Sequence, residues 1–162
     1  MLIISPTAKI SPLADIEDSV RGSRIVIEDG VVIDSFVKIK PAGGSGDLRI
    51  GAGTVVNSGC VFYTGNGVNI GSHVAIAANC TFAAANHAYK AKDRLIIEQG
   101  FLPSRGGILV EDDVWIGAGV ILLDGAILRR GCVVAAGALV RTELPQYSIN
   151  RGIPARTQGW RK

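Results

Sequence analysis

Two of the 162 residues are histidines, and one of them stands where the rhythm of the chain breaks. His87 lies in ANHAYKAKDRL (85–95), between two blocks in which large aliphatic residues return every six positions. An imidazole, with an ordinary pKa of about 6.5, can take a proton from a hydroxyl near neutral pH. Position alone leaves two readings open, a general base or a surface histidine at the start of a loop. His73, in IGSHVA, falls in a turn slot and reads as a solvated corner residue. Zinc needs about three protein ligands plus water, and a chain with so few histidines offers no such set, so no metal is expected. Cys60, Cys80 and Cys132 are odd in number and lack paired metal-type spacing. The remaining concentration of chemistry is basic. Arg129, Arg130, Arg141, Arg151, Arg156, Arg161 and Lys162 face one acid, Glu143, between 128 and 162. That run could hold phosphates or be a solvated tail.

The elements that must position these residues follow from the six-residue period. Anchors run Ile10, Ile16; Ile27, Ile33, Ile39; Ile50, Val56, Phe62; Ile70, Ile76, Phe82; and Val110, Ile116, Leu122, Leu128, Val134, Val140. Four positions on come smaller residues, among them Val31, Thr54, Val74, Val120, Ala126 and all three cysteines. A helix would throw successive anchors onto different faces, leaving no apolar stripe. In a strand, spacings of four and two stay on one face. Glycines such as Gly30, Gly53, Gly119 and Gly137 then mark corners that need positive φ, with Asn79 and Asp113 in the same slot. Short strands with a corner every six residues predict a parallel β-solenoid, each coil covering the backbone edge of the next. The cysteines, all in the small inward slot, read as compact hydrophobes.

A single domain over 1–162 is expected, with the solenoid at about 10–145, an external loop at 88–109 and a short C-terminal tail at 146–162. The loop is long for a compact domain, which marks it as functional or disordered. Its Leu95, Ile96, Ile97 and Phe101 suggest an arm that packs against a neighbour. GGSG at 43–46 reads as an exposed turn. The net charge of +3 gives no case for nucleic acid. The MLII start is too short for a signal peptide, and no stretch is long and apolar enough for an integral membrane segment. Cytoplasmic localisation is the default expectation.

IGAGVI (116–121) and VAAGAL (134–139) resemble the repeat of the hexapeptide-repeat acetyltransferases. ANH followed by a long loop and VWIGAGV, together with EQG at 98–100, resembles their xenobiotic and polysaccharide O-acetyltransferase branch. The resemblance implies an all-β fold, a left-handed parallel β-helix of three hexads per coil; the hand comes from the family alone. It implies acetyl-CoA as co-substrate, a homotrimer with active sites between subunits, and His87 as the catalytic base. A sugar or sugar-nucleotide acceptor in surface polysaccharide biosynthesis is the acceptor class it suggests, expected to meet the 88–109 arm and residues near Tyr63. WIGAG, AAGALVRT and GIPAR resemble the coenzyme-side motifs. By that likeness Trp115 lines the cleft, and Gly117, Ala118 and Ala136 meet pantetheine or the oxyanion through backbone groups. Arg141, Thr142 and Arg156 approach the phosphate and adenine end. The sugar-acetylating subgroups carry a further histidine just past this point, where Tyr89 and Lys90 stand here.

Four rivals stay in view. An N-acyltransferase of an amino-sugar nucleotide would use the same fold. A γ-type carbonic anhydrase would need three histidines, and a non-catalytic solenoid scaffold would need neither a histidine at a cleft nor a basic end. A serine acetyltransferase would bring a large helical N-terminal region.

Overall fold

Positive φ recurs at two corners of each turn from Ile25 to Val140. Gly30, Gly53, His73, Asp113, Gly131 and Tyr147 take it at the first, and Phe36, Gly59, Asn79, Gly119 and Gly137 at the second. Between these corners the chain has room for strands of two or three residues only. In the computed structural model, which describes residues 1–162, those strands stack into three parallel sheets that form the sides of a triangular coil.

The first face stacks Leu2–Ile4, Ile25–Ile27, Leu48–Ile50, Val68–Ile70, Ile108–Val110, Ile127–Leu128 and Glu143–Leu144. The second stacks Lys9–Ile10, Val32–Ile33, Val55–Val56, Ala75–Ile76, Trp115–Ile116, Val133–Val134 and Ser148–Gly152. The third stacks Asp15–Ile16, Lys38–Lys40, Val61–Tyr63, Thr81–Ala83, Ile121–Leu123 and Leu139–Val140. Every pairing within these stacks is parallel, so each coil donates to the coil beside it. Ala155–Trp160 then folds back antiparallel on Ser148–Gly152. The only helix is a 3₁₀ turn, Ile96–Glu98, and no helix is long and apolar enough to cross a membrane.

The predicted anchors from Ile27 onward are the buried columns of this prism. Ile50 stacks under Ile70 and Val110, Val56 under Ile76 and Ile116, and Phe62 under Phe82 and Leu122. One cluster of 32 buried residues fills the interior. Phe62 and Phe82 lie face to face, 4.3 Å apart at 14°. Burial pushes the Cys132 thiol up to about 12, and the adjacent Cys80 sulfur together with burial holds Cys60 above the ordinary thiol range.

Three boundaries differ from the sequence expectation. The coil begins at Leu2–Ile4 rather than near residue 10: Ile4 is the first member of an Ile4–Ile10–Ile16 turn whose open end leaves it partly exposed. It continues past 145, because Ser148–Gly152 adds a further parallel rung to the second face. That rung was hidden by its polarity. Ser148 and Asn150 occupy buried inward slots, and the Asn150 amide is satisfied by donating to Val133 O and Ser148 Oγ while accepting from Thr157 Oγ1. The external loop ends at Gly107 rather than 109, since Ile108 already belongs to the first face.

Removing the ring of Phe82 leaves a cavity in the middle of a column that neighbouring coils cannot collapse to fill. Phe82→Ala should cost about 3–5 kcal/mol by urea denaturation, and a loss under ~1 kcal/mol would contradict the packing. Native protein should stay unlabelled by a thiol reagent at pH 8, with all three cysteines reacting only after unfolding.

Candidate active site

The third corner, between the third and first faces, is where regularity fails. After Thr81–Ala83 the chain keeps Ala84 inward and fully buried, then leaves the prism at Ala85 and returns at Gly107. Asn86, four positions after the anchor Phe82 and so in the small-residue slot of the repeat, is not buried, because Ala84 already fills the interior two residues after Phe82. His87 stands exposed at the root of the excursion. It forms an antiparallel bridge with Phe101 on the returning leg, and the two rings lie 4.6 Å apart. Ala88 N–H donates to Gly100 O and Leu102 N–H to Asn86 O, so the two legs zip together around the histidine.

A cleft of about 260 Å³ opens on this imidazole, lined by Ala42, Gly43, Tyr63, Ala83, Ala85, His87 and Phe101. None of these side chains is charged, and neither His87 ring nitrogen is hydrogen-bonded within the chain. The imidazole therefore has no intramolecular polar partner, and Tyr63 lines the same cleft. The GGSG run is not a bare surface turn. Its first residue, Gly43, lines the cleft, and the glycines that follow are needed for close approach to the turn of the next coil. A Cβ on Gly44 would sit 2.3 Å from Gly65 O, and one on Gly46 2.1 Å from Gly67 N. Gly43 faces Ala85 and the Phe101 ring. Tyr63 was anticipated near the acceptor, whereas Ala42, Gly43 and Ala85 were not singled out. Their signal was a glycine-rich break two coils before the histidine's own corner.

The far end of the arm is braced by side chains. Gln99 accepts from Ala91 N–H and donates to Ala91 O and Arg94 O. Leu95, Ile96 and Ile97 point to solvent at 67%, 56% and 80% exposure, so they do not pin the arm to its own prism.

The other candidates fall elsewhere in the prism. Gly117, Ala118 and Ala136 lie at the second corner, across the width of the third face from His87. Gly117 is buried and its N–H is committed to Val134 O at 2.8 Å. A Cβ there would meet Ala136 N at 2.6 Å, so this glycine lets the coils stack rather than touching a ligand. Ala118 and Ala136 are exposed, and neither N–H donates to a protein acceptor. Trp115 projects from the second face at 54% exposure. Arg141 and Thr142 share the third corner with His87, two coils on, and the Arg141 carbonyl accepts from the Arg105 guanidinium at 3.3 Å. Arg156 is exposed on the returning C-terminal strand. One copy therefore gathers His87, Tyr63, Arg141 and Thr142 along one edge, and Ala118 with Ala136 along the opposite one. His73 is an exposed corner residue at φ 55, on the first corner. No group of three or more His, Cys, Asp or Glu side chains is placed to hold a metal ion.

The basic end is less basic than its linear count. Arg129 bridges Glu111 and Glu143 at 2.8 and 2.7 Å, Arg130 lies 3.7 Å from Asp112, and Arg161 pairs with Asp113 at 2.9 Å. The EDD run at 111–113 stacks directly beneath the corner carrying Arg129 and Arg130. The Arg129 guanidinium holds the Glu111 carboxyl below its usual range. Arg141, Arg151, Arg156 and Lys162 make no ion pair and are left as the free cations.

A triangular parallel coil with a long corner excursion defines the class of hexapeptide-repeat proteins. Residues 107–142 match the family described as bacterial transferase hexapeptide (six repeats). The chain is 34% identical over 81% of its length to gamma carbonic anhydrase 1, mitochondrial, of Arabidopsis thaliana. It is 28% identical over 68% of its length to the galactoside O-acetyltransferase of Lactococcus lactis. It spans about half of each, 51% and 52% respectively. Among solved structures it superposes on a hexapeptide-repeat acetyltransferase of Vibrio cholerae complexed with acetyl coenzyme A. The TM-score is 0.72 at 28% identity, covering 82% of this chain and 68% of that one. It shares the fold of AntD, an N-acyltransferase of Bacillus cereus, at TM-score 0.81 and 23% identity, over 99% of this chain and 84% of that one. The chain carries the transferase hexapeptide repeat and is similar to acyltransferases built on it, and its coil is the left-handed parallel β-helix.

The close approach of the glycine turns beside the cleft can be checked directly. Gly44→Ala should destabilise the fold by about 1–3 kcal/mol through overpacking against Gly65. Unchanged denaturation would mean that the two turns do not touch.

Proposed function

We propose that this protein is an acetyl-CoA-dependent O-acetyltransferase that acts on a sugar hydroxyl, with His87 as general base. The observation that carries the reading is the uncharged cleft of about 260 Å³ around an imidazole with no intramolecular partner. His87 takes the proton of the acceptor hydroxyl as its oxygen attacks the thioester carbonyl. The carbonyl oxygen gains negative charge, and a backbone N–H stabilises it. Of the Gly117–Ala118 pair, only the Ala118 N–H is uncommitted. The C–S bond then breaks, and the imidazolium returns its proton to the departing thiolate. No covalent enzyme intermediate is needed, because a thioester is already activated.

Ala118 and Ala136 stand across the third face from His87, so the reading requires a homotrimer in which one copy supplies the imidazole edge and its neighbour the amide edge. The pantetheine arm would run along the small residues of the second corner. The unpaired Arg141 and Arg156, with Thr142, would meet the phosphate and adenine end, and Trp115 would close the cleft from the neighbouring face. A surface-polysaccharide sugar or sugar nucleotide is the acceptor class, and the cytoplasm is the place of reaction. The likeness to a carbonic anhydrase does not bring a zinc set with it. This chain carries two histidines, at different corners of one coil, where a three-imidazole site needs a third.

His87→Ala should lower acetyl transfer to a hydroxyl sugar by about 10²–10⁴-fold while leaving coenzyme A binding by calorimetry intact. Turnover near that of the unmodified protein would remove the proposed base. Faster transfer to an amino sugar than to its hydroxyl counterpart would replace O-acetylation by the N-acyl reading.

A further inference from the structure

We propose that Asp124 is a positioning residue for the acyl transfer argued above: its buried carboxylate locks the returning leg of the corner arm and so keeps Phe101 against His87. The proposal rests on that reading for its catalytic part and on geometry alone for its structural part.

Asp124 is 2% exposed and sits two residues after the anchor Leu122, in the corner column where the earlier coils place Thr64 and Ala84. A carboxylate in so buried a slot needs full hydrogen bonding. It receives the Arg105 N–H at 2.8 Å, the Gly107 N–H at 2.8 Å and the Asn66 side-chain amide at 3.1 Å. No cation pairs with it, and two of its three donors are backbone groups of the arm. The reason lies in the excursion. Because the chain is absent from the prism between Ala85 and Gly107, one rung of the third corner is missing. Asn66 on one side of the gap and Asp124 on the other reach across it, over 58 residues of sequence. The returning chain is threaded through that bridge.

Phe101 and Arg105 are joined by Leu102, Pro103 and Ser104. Fixing the Arg105 amide therefore limits where Phe101 can lie, and Phe101 is the ring 4.6 Å from His87. Arg105 is also held laterally. Its side chain lies over Gly125, where a Cβ would meet Arg105 Cβ at 3.0 Å. On the other leg the pins are backbone bonds, Ala88 N–H to Gly100 O at 3.0 Å and Leu102 N–H to Asn86 O at 2.8 Å. Those two bonds close the zipper only while the returning leg stays seated, and Asp124 is what seats it.

The test compares Asp124→Asn and Asp124→Ala with the unmodified chain by amide hydrogen exchange and steady-state kinetics. Asn keeps the volume and one acceptor oxygen, which guards against a variant that fails to fold. Exchange at Ala88 and Leu102 should speed up in both variants, more in Ala, while the ladder amides of Thr81 and Ile121 stay protected. Turnover should fall by about ten- to a hundredfold in Asp124→Ala with the KM for acetyl-CoA unchanged, Asn lying between. Unchanged protection at Ala88 and Leu102 overturns the proposal. So does equal loss of protection in the ladder, which would make Asp124 a general fold residue, or a loosened arm with undiminished turnover. If the unmodified chain transfers no acetyl group, the functional reading fails by itself, and the exchange data still decide whether Asp124 holds the arm.

Discussion

Parallel stacking in strict register is the constraint on which everything else here depends. Each coil has backbone partners only above and below, so a residue can be buried only if its column is continuous. The Ile50–Ile70–Val110 and Val56–Ile76–Ile116 columns satisfy this without a break. Register also limits insertion. A segment can be added only at a corner, and it must re-enter where it left. The excursion obeys this. Although the anchor spacing jumps from Phe82 to Val110, Val68–Ile70 pairs with Ile108–Val110 as though nothing intervened. A corner can therefore be elaborated while the core is left alone, and His87 stands at such a corner.

The periodic part of the molecule was legible because burial, side-chain size and φ all repeat together. Large residue, small residue and glycine recur in fixed slots, and no helix could use that spacing. Legibility ended wherever one of the three signals was replaced by another physical solution. Asn150 is buried as completely as an isoleucine, but by hydrogen bonding, so a hydrophobic pattern passes over it. Phe36 and Tyr147 take positive φ without being Gly, Asn or Asp, so their corners do not look like corners. The cleft was legible only in its histidine and in Tyr63. The rest of its lining is Gly43 and small alanines, whose meaning lies in how closely neighbouring turns approach.

Charge shows the same difference between a linear and a stacked reading. Along the chain the segment from 128 onward is a basic run. In the coil it lies against Glu111, Asp112 and Asp113 of the turn below, which take up Arg129, Arg130 and Arg161. Those pairs are partly exposed, and such bridges contribute little individually. Their larger consequence is subtraction. They remove three guanidiniums from the pool that could meet a phosphate and leave Arg141, Arg151, Arg156 and Lys162. In a solenoid the electrostatic neighbours of a residue are those one coil away, and a net charge counted over consecutive residues mixes groups that never meet.

The division of the site follows from the same geometry. A flat face three residues wide keeps the imidazole at one edge and the uncommitted amides at the other, and stacked coils cannot fold that face inward. The outward side of the second face is meanwhile apolar from Val32 through Val55, Trp115 and Val133 to Ile149, with Ala75 among them. Desolvating such a surface is favourable in proportion to its area. A second copy laid against it would cover that surface and bring a foreign amide edge to the histidine. On the function proposed above, assembly and chemistry are one requirement, because the amide edge that the imidazole needs would come from the neighbouring copy.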